Sequence, residues 1–230
     1  MTIRDRQVLS PEPSPGAVRA RAPLPIVSGA VIAISAVRFL LDQPLFSRAQ
    51  VLPWALYGPA IEGGEWWRLL SYALEHGNLV HIFFNMSVVW TLGIPLERML
   101  GSSRFFVISL ATCLGAAAVS LFFAFQQQMV GASGMILGWA GAMLPVSTRA
   151  GRRQLGIWLV QVAIISLLPH VSWQGHLGGA IGGLLAALLL HVQRFHPSPA
   201  IRFLALAGVP IIPIGFLVAV LWEAHQAGFL

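Results

Sequence analysis

Residues 131–142 read Gly-Ala-Ser-Gly-Met-Ile-Leu-Gly-Trp-Ala-Gly-Ala, and residues 173–183 read Trp-Gln-Gly-His-Leu-Gly-Gly-Ala-Ile-Gly-Gly. In each segment a small residue recurs at every fourth position: Gly134, Gly138 and Ala142 in the first, and Gly175, Gly179 and Gly183 in the second. Small residues at this spacing share one helix face and let two helix backbones approach closely in lipid. The two segments therefore predict a pair of membrane helices in close contact.

The composition of the whole chain supports a membrane location. Apolar residues make up 57% of the 230 positions and charged residues 10%, whereas soluble domains carry about 25% charged residues. The net charge of +6 would suit a nucleic-acid partner, but all 14 basic residues are arginines that lie mostly between apolar runs, so we predict no nucleic-acid binding. A single cysteine, Cys113, excludes an internal disulfide framework and a cysteine-based zinc site.

Seven apolar runs have about the length of a membrane-spanning helix. They are 25–41, 79–96, 105–125, 132–148, 155–169, 173–192 and 203–222. The sequence thus predicts an all-α integral membrane protein, a helical bundle with about seven transmembrane helices. Residues 25–195 would form a six-helix core and residues 196–230 an additional C-terminal transmembrane helix. Residues 1–24, rich in proline and arginine, are predicted to be a disordered cytoplasmic tail.

The arginines also predict the orientation in the membrane. Eleven of them lie in the N-terminal tail and in the links after spans two, four and six, against three on the opposite side. Because arginine accumulates on the cytoplasmic side, the N-terminus is expected in the cytoplasm. The segment 42–78 then lies outside, and its aromatic, apolar-rich sequence without a spanning pattern predicts a structure on or partly in the membrane interface.

Four polar residues stand out at or near the starts of three predicted spans. His81 and Asn85 begin the second span, Ser133 begins the fourth and His176 lies near the start of the sixth. Polar side chains at membrane depth are energetically expensive and are functional candidates by default. Because these spans all run from outside to inside, their first turns lie in one layer just below the outer surface. We therefore expect the four residues to form a composite site.

The residue types in this layer indicate acyl transfer, most simply peptide-bond hydrolysis. A hydroxyl becomes a good nucleophile when a base takes its proton, and histidine is the usual base near neutral pH. Close packing of spans four and six would bring Ser133 within hydrogen-bond reach of His176. No acidic residue lies beside His176 in its span, so a Ser–His dyad is predicted. His81, Asn85 and the helix N-terminus at Ser133 offer hydrogen-bond donors for an oxyanion.

With these features together, the chain resembles the rhomboid family of intramembrane serine proteases. The matching motifs follow the family order from residue 66 to about 190: Trp67-Arg68, His76, His81-x-x-x-Asn85, Gly93 to Glu97, Gly131-x-Ser133-Gly134, and His176 followed by Gly179 and Gly183. Two positions depart from the family pattern. Ile94 stands where the family often has a second glycine, and Arg98 lies one position early.

The resemblance implies that Ser133 is the nucleophile and His176 the general base. It implies an oxyanion hole formed by His81, Asn85 and the Ser133 amide, with Gly131 allowing close approach of the backbone.

The resemblance also implies surroundings for this site. Residues 42–78 would be a membrane-embedded loop, and span five with residues 126–130 would form a lateral gate for a substrate helix. No metal or cofactor is implied. The expected substrates are transmembrane proteins, cut within the lipid near the outer face of the membrane. The absence of lysine fits a G+C-rich bacterial genome, which would place the protein in the cytoplasmic membrane.

Other interpretations are compatible with the same residues. Each of the four polar residues, seen alone, could simply join neighbouring helices, and His76 and Glu97 are expected to be structural. As a whole, the chain could be an inactive rhomboid-like protein that binds membrane helices, although it keeps both the serine and the histidine. A transporter or channel is disfavoured by the lack of an internal repeat and by the shallow polar layer. A rhomboid-type protease that removes C-terminal sorting signals remains open, and the oligomeric state is not indicated.

Overall fold

The computed structural model of the protein describes residues 24–42 and 51–226. This part of the chain is helical, with one isolated antiparallel bridge between Leu56 and Met129. The predicted tail, apart from Leu24, lies outside the described residues, as does part of the predicted loop 42–78.

The described helices fall into long and short elements. In chain order they are α1 (Ile26–Asp42), α2 (Gly58–Glu62), α3 (Arg68–Ser71), α4 (Leu79–Val88), α5 (Ile94–Leu100), α6 (Ser102–Ala124), α7 (Ser133–Met143), α8 (Arg149–Ile165), α9 (Trp173–Phe195) and α10 (Pro199–Gln226). A 3-10 turn, Tyr72–Leu74, follows α3, and a π-helical turn, Val89–Gly93, joins α4 to α5.

Four described helices are long and apolar enough to cross a membrane. They are Leu79–Leu100, which comprises α4 and α5, and the helices α6, α9 and α10. The chain is therefore an all-helical, multi-pass membrane protein, as the composition predicts. A helix also lies at each of the other three predicted positions, although the count of seven spans and the cytoplasmic N-terminus stay predictions.

The fourth and fifth predicted spans have different ends in the structure. Helix α7 stops at Met143, five residues before the predicted end at Thr148. Pro145 accounts for this, because it has no backbone N–H to donate to the carbonyl oxygen four residues earlier. Helix α8 begins at Arg149, earlier than the predicted 155, since the Thr148 side chain caps it by accepting a hydrogen bond from the Gly151 amide at 3.1 Å.

Helix α7 forms the centre of the bundle. All its residues from Gly134 to Ala142 are buried, mainly between α6 and α9. Gly179 of α9 lies against the carbonyl oxygen of Gly134, and Gly183 lies in the same way against Gly138. A β-carbon at either α9 position would overlap that backbone. Because the contacts advance together along both helices, α7 and α9 run in the same direction.

The C-terminal half of α7 is packed around Trp139. This side chain is fully buried, its ring centroid lies 4.8 Å from that of Phe105, and its Nε1 donates a hydrogen bond to the Ser109 hydroxyl at 2.9 Å. The π-helical turn approaches the same ring, because a β-carbon on Gly93 would lie 2.8 Å from Trp139 Cζ3. The π-helical turn, α6 and α7 are thereby joined around one indole.

Residues 51–78 form a folded segment, which we call the first loop. Arg68 is buried in it and donates hydrogen bonds to the carbonyl oxygens of Leu52 at 2.7 Å and Ala55 at 2.8 Å. The loop is tied to the connection between α6 and α7, where Gly131 N donates to the Tyr72 carbonyl at 2.8 Å. This connection places the turn before Ser133.

Glu97 joins α5 to the first turn of α1. Its carboxylate accepts hydrogen bonds from the amides of Val27 at 2.9 Å and Ser28 at 2.8 Å, and from the Ser102 hydroxyl at 2.7 Å. A negative charge at a helix N-terminus is stabilising. These contacts are those of a structural residue, because the carboxylate accepts from the α1 backbone and from Ser102.

Candidate active site

Ser133 is the first residue of α7. The turn that precedes it contains Gly131 with φ of +112°, a backbone conformation that residues with side chains rarely adopt. Because Ser133 and Gly134 open the helix, their amides have no acceptor within it and carry the positive end of the helix dipole. The hydroxyl thus lies beside a group of free N–H donors.

His176 lies in the first turn of α9, where the Ser172 side chain accepts a hydrogen bond from the Gly175 amide at 3.2 Å. The distance from His176 Nε2 to Ser133 Oγ is 2.8 Å, within hydrogen-bond range. The two side chains are half-buried. Their separation follows from the parallel contact of α7 and α9, which places both first turns side by side.

A second serine contacts the other ring nitrogen of His176. Ser166 Oγ lies 2.6 Å from His176 Nδ1, and Ser166 is buried directly after the last residue of α8. Ser166 is not among the site residues predicted from the sequence. Its signal was a lone hydroxyl in the apolar run Ile-Ile-Ser-Leu-Leu, residues 164–168, which is a polar side chain at membrane depth.

His81 and Asn85 approach the turn before Ser133 from α4. A β-carbon placed on Gly131 would lie 2.5 Å from His81 Nε2 and 3.5 Å from Asn85 Nδ2. The structure therefore brings all five predicted site residues to one place. Among the described residues the Ser133 hydroxyl is bonded to His176 and to neither His81 nor Asn85, so these two side chains flank the turn.

His76 is packed against this group. Its ring centroid lies 5.1 Å from that of His81 in an edge-to-face arrangement, and its side chain is buried. Neither ring nitrogen has a hydrogen-bond partner among the described residues. Burial, with a smaller effect of the neighbouring His81, lowers the pKa of His76 to about 3, so its ring is neutral near pH 7.

A cavity of about 760 Å³ adjoins the site. Its lining residues come from the first loop, from α4 and α6, from the α6–α7 and α8–α9 connections and from the start of α9. They include His81, Ser120, Met129, Val130 and Trp173. The cavity meets the site at His81, whereas Ser133 and His176 do not line it. In the described ranges, 24–42 and 51–226, no group of three or more His, Cys, Asp or Glu residues is arranged to hold a metal ion.

Comparison with known proteins identifies a family for this chain. The family model described as the rhomboid domain matches residues 63–193, which include α3 to α8, most of α9 and all five site residues. The match covers more than half of the chain.

Individual relatives agree with this match. The chain is 37% identical over 142 residues to "Rhomboid protease GluP" of Bacillus subtilis, an alignment that covers 58% of this chain and 28% of that protein. It is 33% identical to "RHOMBOID-like protein 6, mitochondrial" of Arabidopsis thaliana over 58% of this chain and 46% of the relative. For "Rhomboid protease GlpG" of Photorhabdus laumondii the identity is 29%, over 60% of this chain and 52% of the relative. The alignments thus span about half or less of each relative.

Proposed function

The chain belongs to the rhomboid family, and from that premise we propose that it is an intramembrane serine endopeptidase. It would hydrolyse peptide bonds in or near transmembrane helices of membrane-protein substrates. The observation that carries this proposal is the 2.8 Å contact between Ser133 Oγ and His176 Nε2 at the start of a buried helix. Relatives that are named rhomboid proteases support the hydrolase class.

In the proposed reaction Ser133 attacks the carbonyl carbon of the scissile peptide. His176 Nε2 accepts the hydroxyl proton as the C–O bond forms, because it is the ring nitrogen within hydrogen-bond distance. The resulting imidazolium then donates that proton to the leaving amine as the C–N bond breaks, which leaves an acyl-enzyme on Ser133. Water, deprotonated by the same nitrogen, releases the acid and restores the serine.

The tetrahedral intermediate carries a negative charge that needs fixed donors. The amides of Ser133 and Gly134 are suited to this role, because they open α7 and have no acceptor within the helix. Asn85 Nδ2 and His81 Nε2 lie beside the same turn, close to Gly131. We assign these groups to the oxyanion hole. Gly131 would contribute by leaving room for His81, since any side chain at this position would displace the His81 ring.

The same proposal sets the surroundings of the reaction. Transmembrane proteins would be the substrates and would enter from the lipid past α8 and residues 126–130, with cleavage near the outer face of the cytoplasmic membrane. The cavity beside His81 is lined by residues 127–130 and by the connection that follows α8, and it offers room for an unwound peptide segment. No metal or cofactor takes part in these steps.

The test is labelling of the detergent-purified protein by a fluorophosphonate probe, which phosphonylates an activated serine and releases fluoride. Ser133→Ala and His176→Ala should each abolish labelling. Ser87→Ala and His191→Ala are matched controls, because the Ser87 hydroxyl is bonded to the Phe83 carbonyl within its own helix and His191 lies at the far end of α9.

Labelling of the wild type and both controls, with loss in the two site variants, would support the proposed chemistry. A folded wild type that stays unlabelled, or a Ser133→Ala variant that labels equally, would overturn it. The first of these outcomes would favour a protein that binds membrane helices without cutting them.

A further inference from the structure

The hydroxyl of Ser166 makes two short contacts. It donates a hydrogen bond to the Val162 carbonyl oxygen at 2.7 Å, and it lies 2.6 Å from His176 Nδ1. A serine hydroxyl has one proton to donate and two lone pairs that accept. We assign the proton to Val162, whose carbonyl oxygen can only accept; with this assignment the contact with His176 is a hydrogen bond from Nδ1–H to Ser166 Oγ.

This arrangement determines which ring nitrogen of His176 is free. A neutral imidazole carries one proton, so a proton on Nδ1 leaves the lone pair on Nε2. Nε2 is the nitrogen that lies 2.8 Å from Ser133 Oγ. The Ser166 contact therefore selects the tautomer in which His176 can accept the proton of Ser133.

The surroundings of Ser166 do not explain it as a packing residue. From Arg149 to Gln174, all of which the structure describes, Ser166 is the single buried residue, at 5% exposure. The neighbours Ile165 and Leu167 are exposed, as expected for side chains that face lipid. An apolar residue would be expected at a buried packing position in a membrane protein. The buried position instead holds a hydroxyl that points at the histidine.

We propose that Ser166 is a positioning residue that holds His176 as the Nδ1–H tautomer and orients its Nε2 toward Ser133. This inference rests on the proposed protease function and deepens it. Ser166 does not touch the substrate, and it acts only through the imidazole. It performs the orienting part of the role that a carboxylate has in serine protease triads, without supplying a charge.

The first experiment compares labelling kinetics of Ser166→Ala with those of the wild type, with the fluorophosphonate as probe. Loss of a neutral hydrogen bond of this kind is expected to lower the maximal labelling rate about tenfold, with the concentration for half-maximal rate unchanged. Ser166→Thr keeps the hydroxyl and should retain most of the rate. Ser147→Ala is the control, because Ser147 bonds the carbonyl four residues earlier at 2.7 Å in the same way but has no histidine beside it.

A second readout does not depend on activity. In protein with ¹⁵N-labelled histidine, the resonance that disappears in His176→Ala identifies the His176 ring, and its ¹⁵N shifts report which nitrogen carries the proton. The wild type and Ser166→Thr should show the Nδ1–H form, and Ser166→Ala should show a mixture with the Nε2–H form.

The two measurements separate this inference from the proposed function. An unlabelled wild type with a Ser166-dependent Nδ1–H signal would overturn the protease proposal and keep the positioning contact. A wild-type Nε2–H signal, or equal labelling rates for Ser166→Ala and the wild type, would overturn the role of Ser166. The unfolding temperatures of all variants are measured in the same detergent. Values equal to that of the wild type would exclude misfolding as the cause of a lower labelling rate.

Discussion

Gly179 of α9 lies directly against the carbonyl oxygen of Gly134 in α7, with no room for a β-carbon between the two backbones. Gly134 follows Ser133, and Gly179 lies one helical turn after His176. The contact therefore joins the two helices next to the residues whose side chains meet at 2.8 Å.

We expect Gly179→Ala to push α7 and α9 apart. Overpacking of this kind costs about 1–3 kcal/mol, and the separation of Ser133 from His176 should also abolish fluorophosphonate labelling. Gly156→Ala is the matched control, because nothing lies within 4 Å of that position on α8. Thermal unfolding and labelling would be measured together. Labelling of Gly179→Ala at the wild-type rate would contradict the role given to this contact.

Gly131→Ala should slow labelling by more than its effect on stability explains. The positive φ of +112° costs any side chain roughly 1–3 kcal/mol, and the new methyl group would also displace His81. Gly101→Ala carries the first cost without the second, because φ is +82° and nothing lies within 4 Å. Equal labelling rates in these two variants would show that His81 is not needed beside the turn.

Asn85→Ala should lower the maximal labelling rate without abolishing it. Removal of one oxyanion donor commonly costs about 10²–10³ in rate, whereas Ser133→Ala removes the proposed nucleophile. Asn85→Asp is a sharper variant, since it keeps the shape of the side chain and replaces the N–H donor by a carboxylate oxygen. If both variants unfold in detergent instead of labelling slowly, the role of the buried Asn85 is structural.

Glu97→Gln is expected to destabilise the protein while leaving the labelling rate of the folded fraction unchanged. The carboxylate accepts two α1 amides and the Ser102 hydroxyl, and hydrogen bonds to a charged group contribute about 1.5–3 kcal/mol each. Arg98→Ala on the exposed side of the same helix is the control. A change in labelling rate at constant stability would assign Glu97 a part in the chemistry.

His76 should make the protein less stable in acid. Its pKa is lowered to about 3 in the folded state, mainly by burial, whereas an exposed histidine titrates near 6.5. The unfolded state therefore binds the proton more readily between these values. His76 therefore does not lower the free energy of unfolding above about pH 6.5. Below that pH the free energy of unfolding falls by up to about 1.4 kcal/mol per pH unit as the pH drops toward 3.

The corresponding measurement is the unfolding temperature in detergent between pH 7.5 and pH 4.5, for the wild type and for His76→Leu. The leucine has a similar volume and no proton to bind, so its unfolding temperature should depend less steeply on pH. Identical slopes in the two proteins would show that His76 does not contribute to the acid sensitivity.

Much of the arrangement follows from local sequence patterns. The four-residue spacing of glycines predicts the α7–α9 contact, and this contact brings Ser133 and His176 together. Helix ends were harder to predict, because hydropathy registers apolar side chains only. Hydropathy therefore predicts a fourth span that continues past Pro145 and a fifth span that begins after its arginines. In the structure Pro145 ends α7 and the Thr148 cap begins α8.

Two hydrogen-bond contacts could not be predicted from the sequence, because they depend on distances across the bundle. Ser166 meets a ring that is ten residues away in sequence but on the next helix. The Glu97 carboxylate finds amides about seventy residues away, at the start of α1. No local periodicity records such contacts. A rule that flags every polar side chain inside an apolar run would still have singled out Ser166.

The direct backbone contact between α7 and α9 has a consequence for sequence change. Because main-chain atoms set the spacing of Ser133 and His176, side chains on the lipid-facing exterior, such as Phe83 and Val160, do not enter into it. The exterior can therefore vary with bilayer thickness and lipid composition while the reactive geometry stays constant. We therefore expect few substitutions to be tolerated at the glycines between α7 and α9, and many to be tolerated on the exterior.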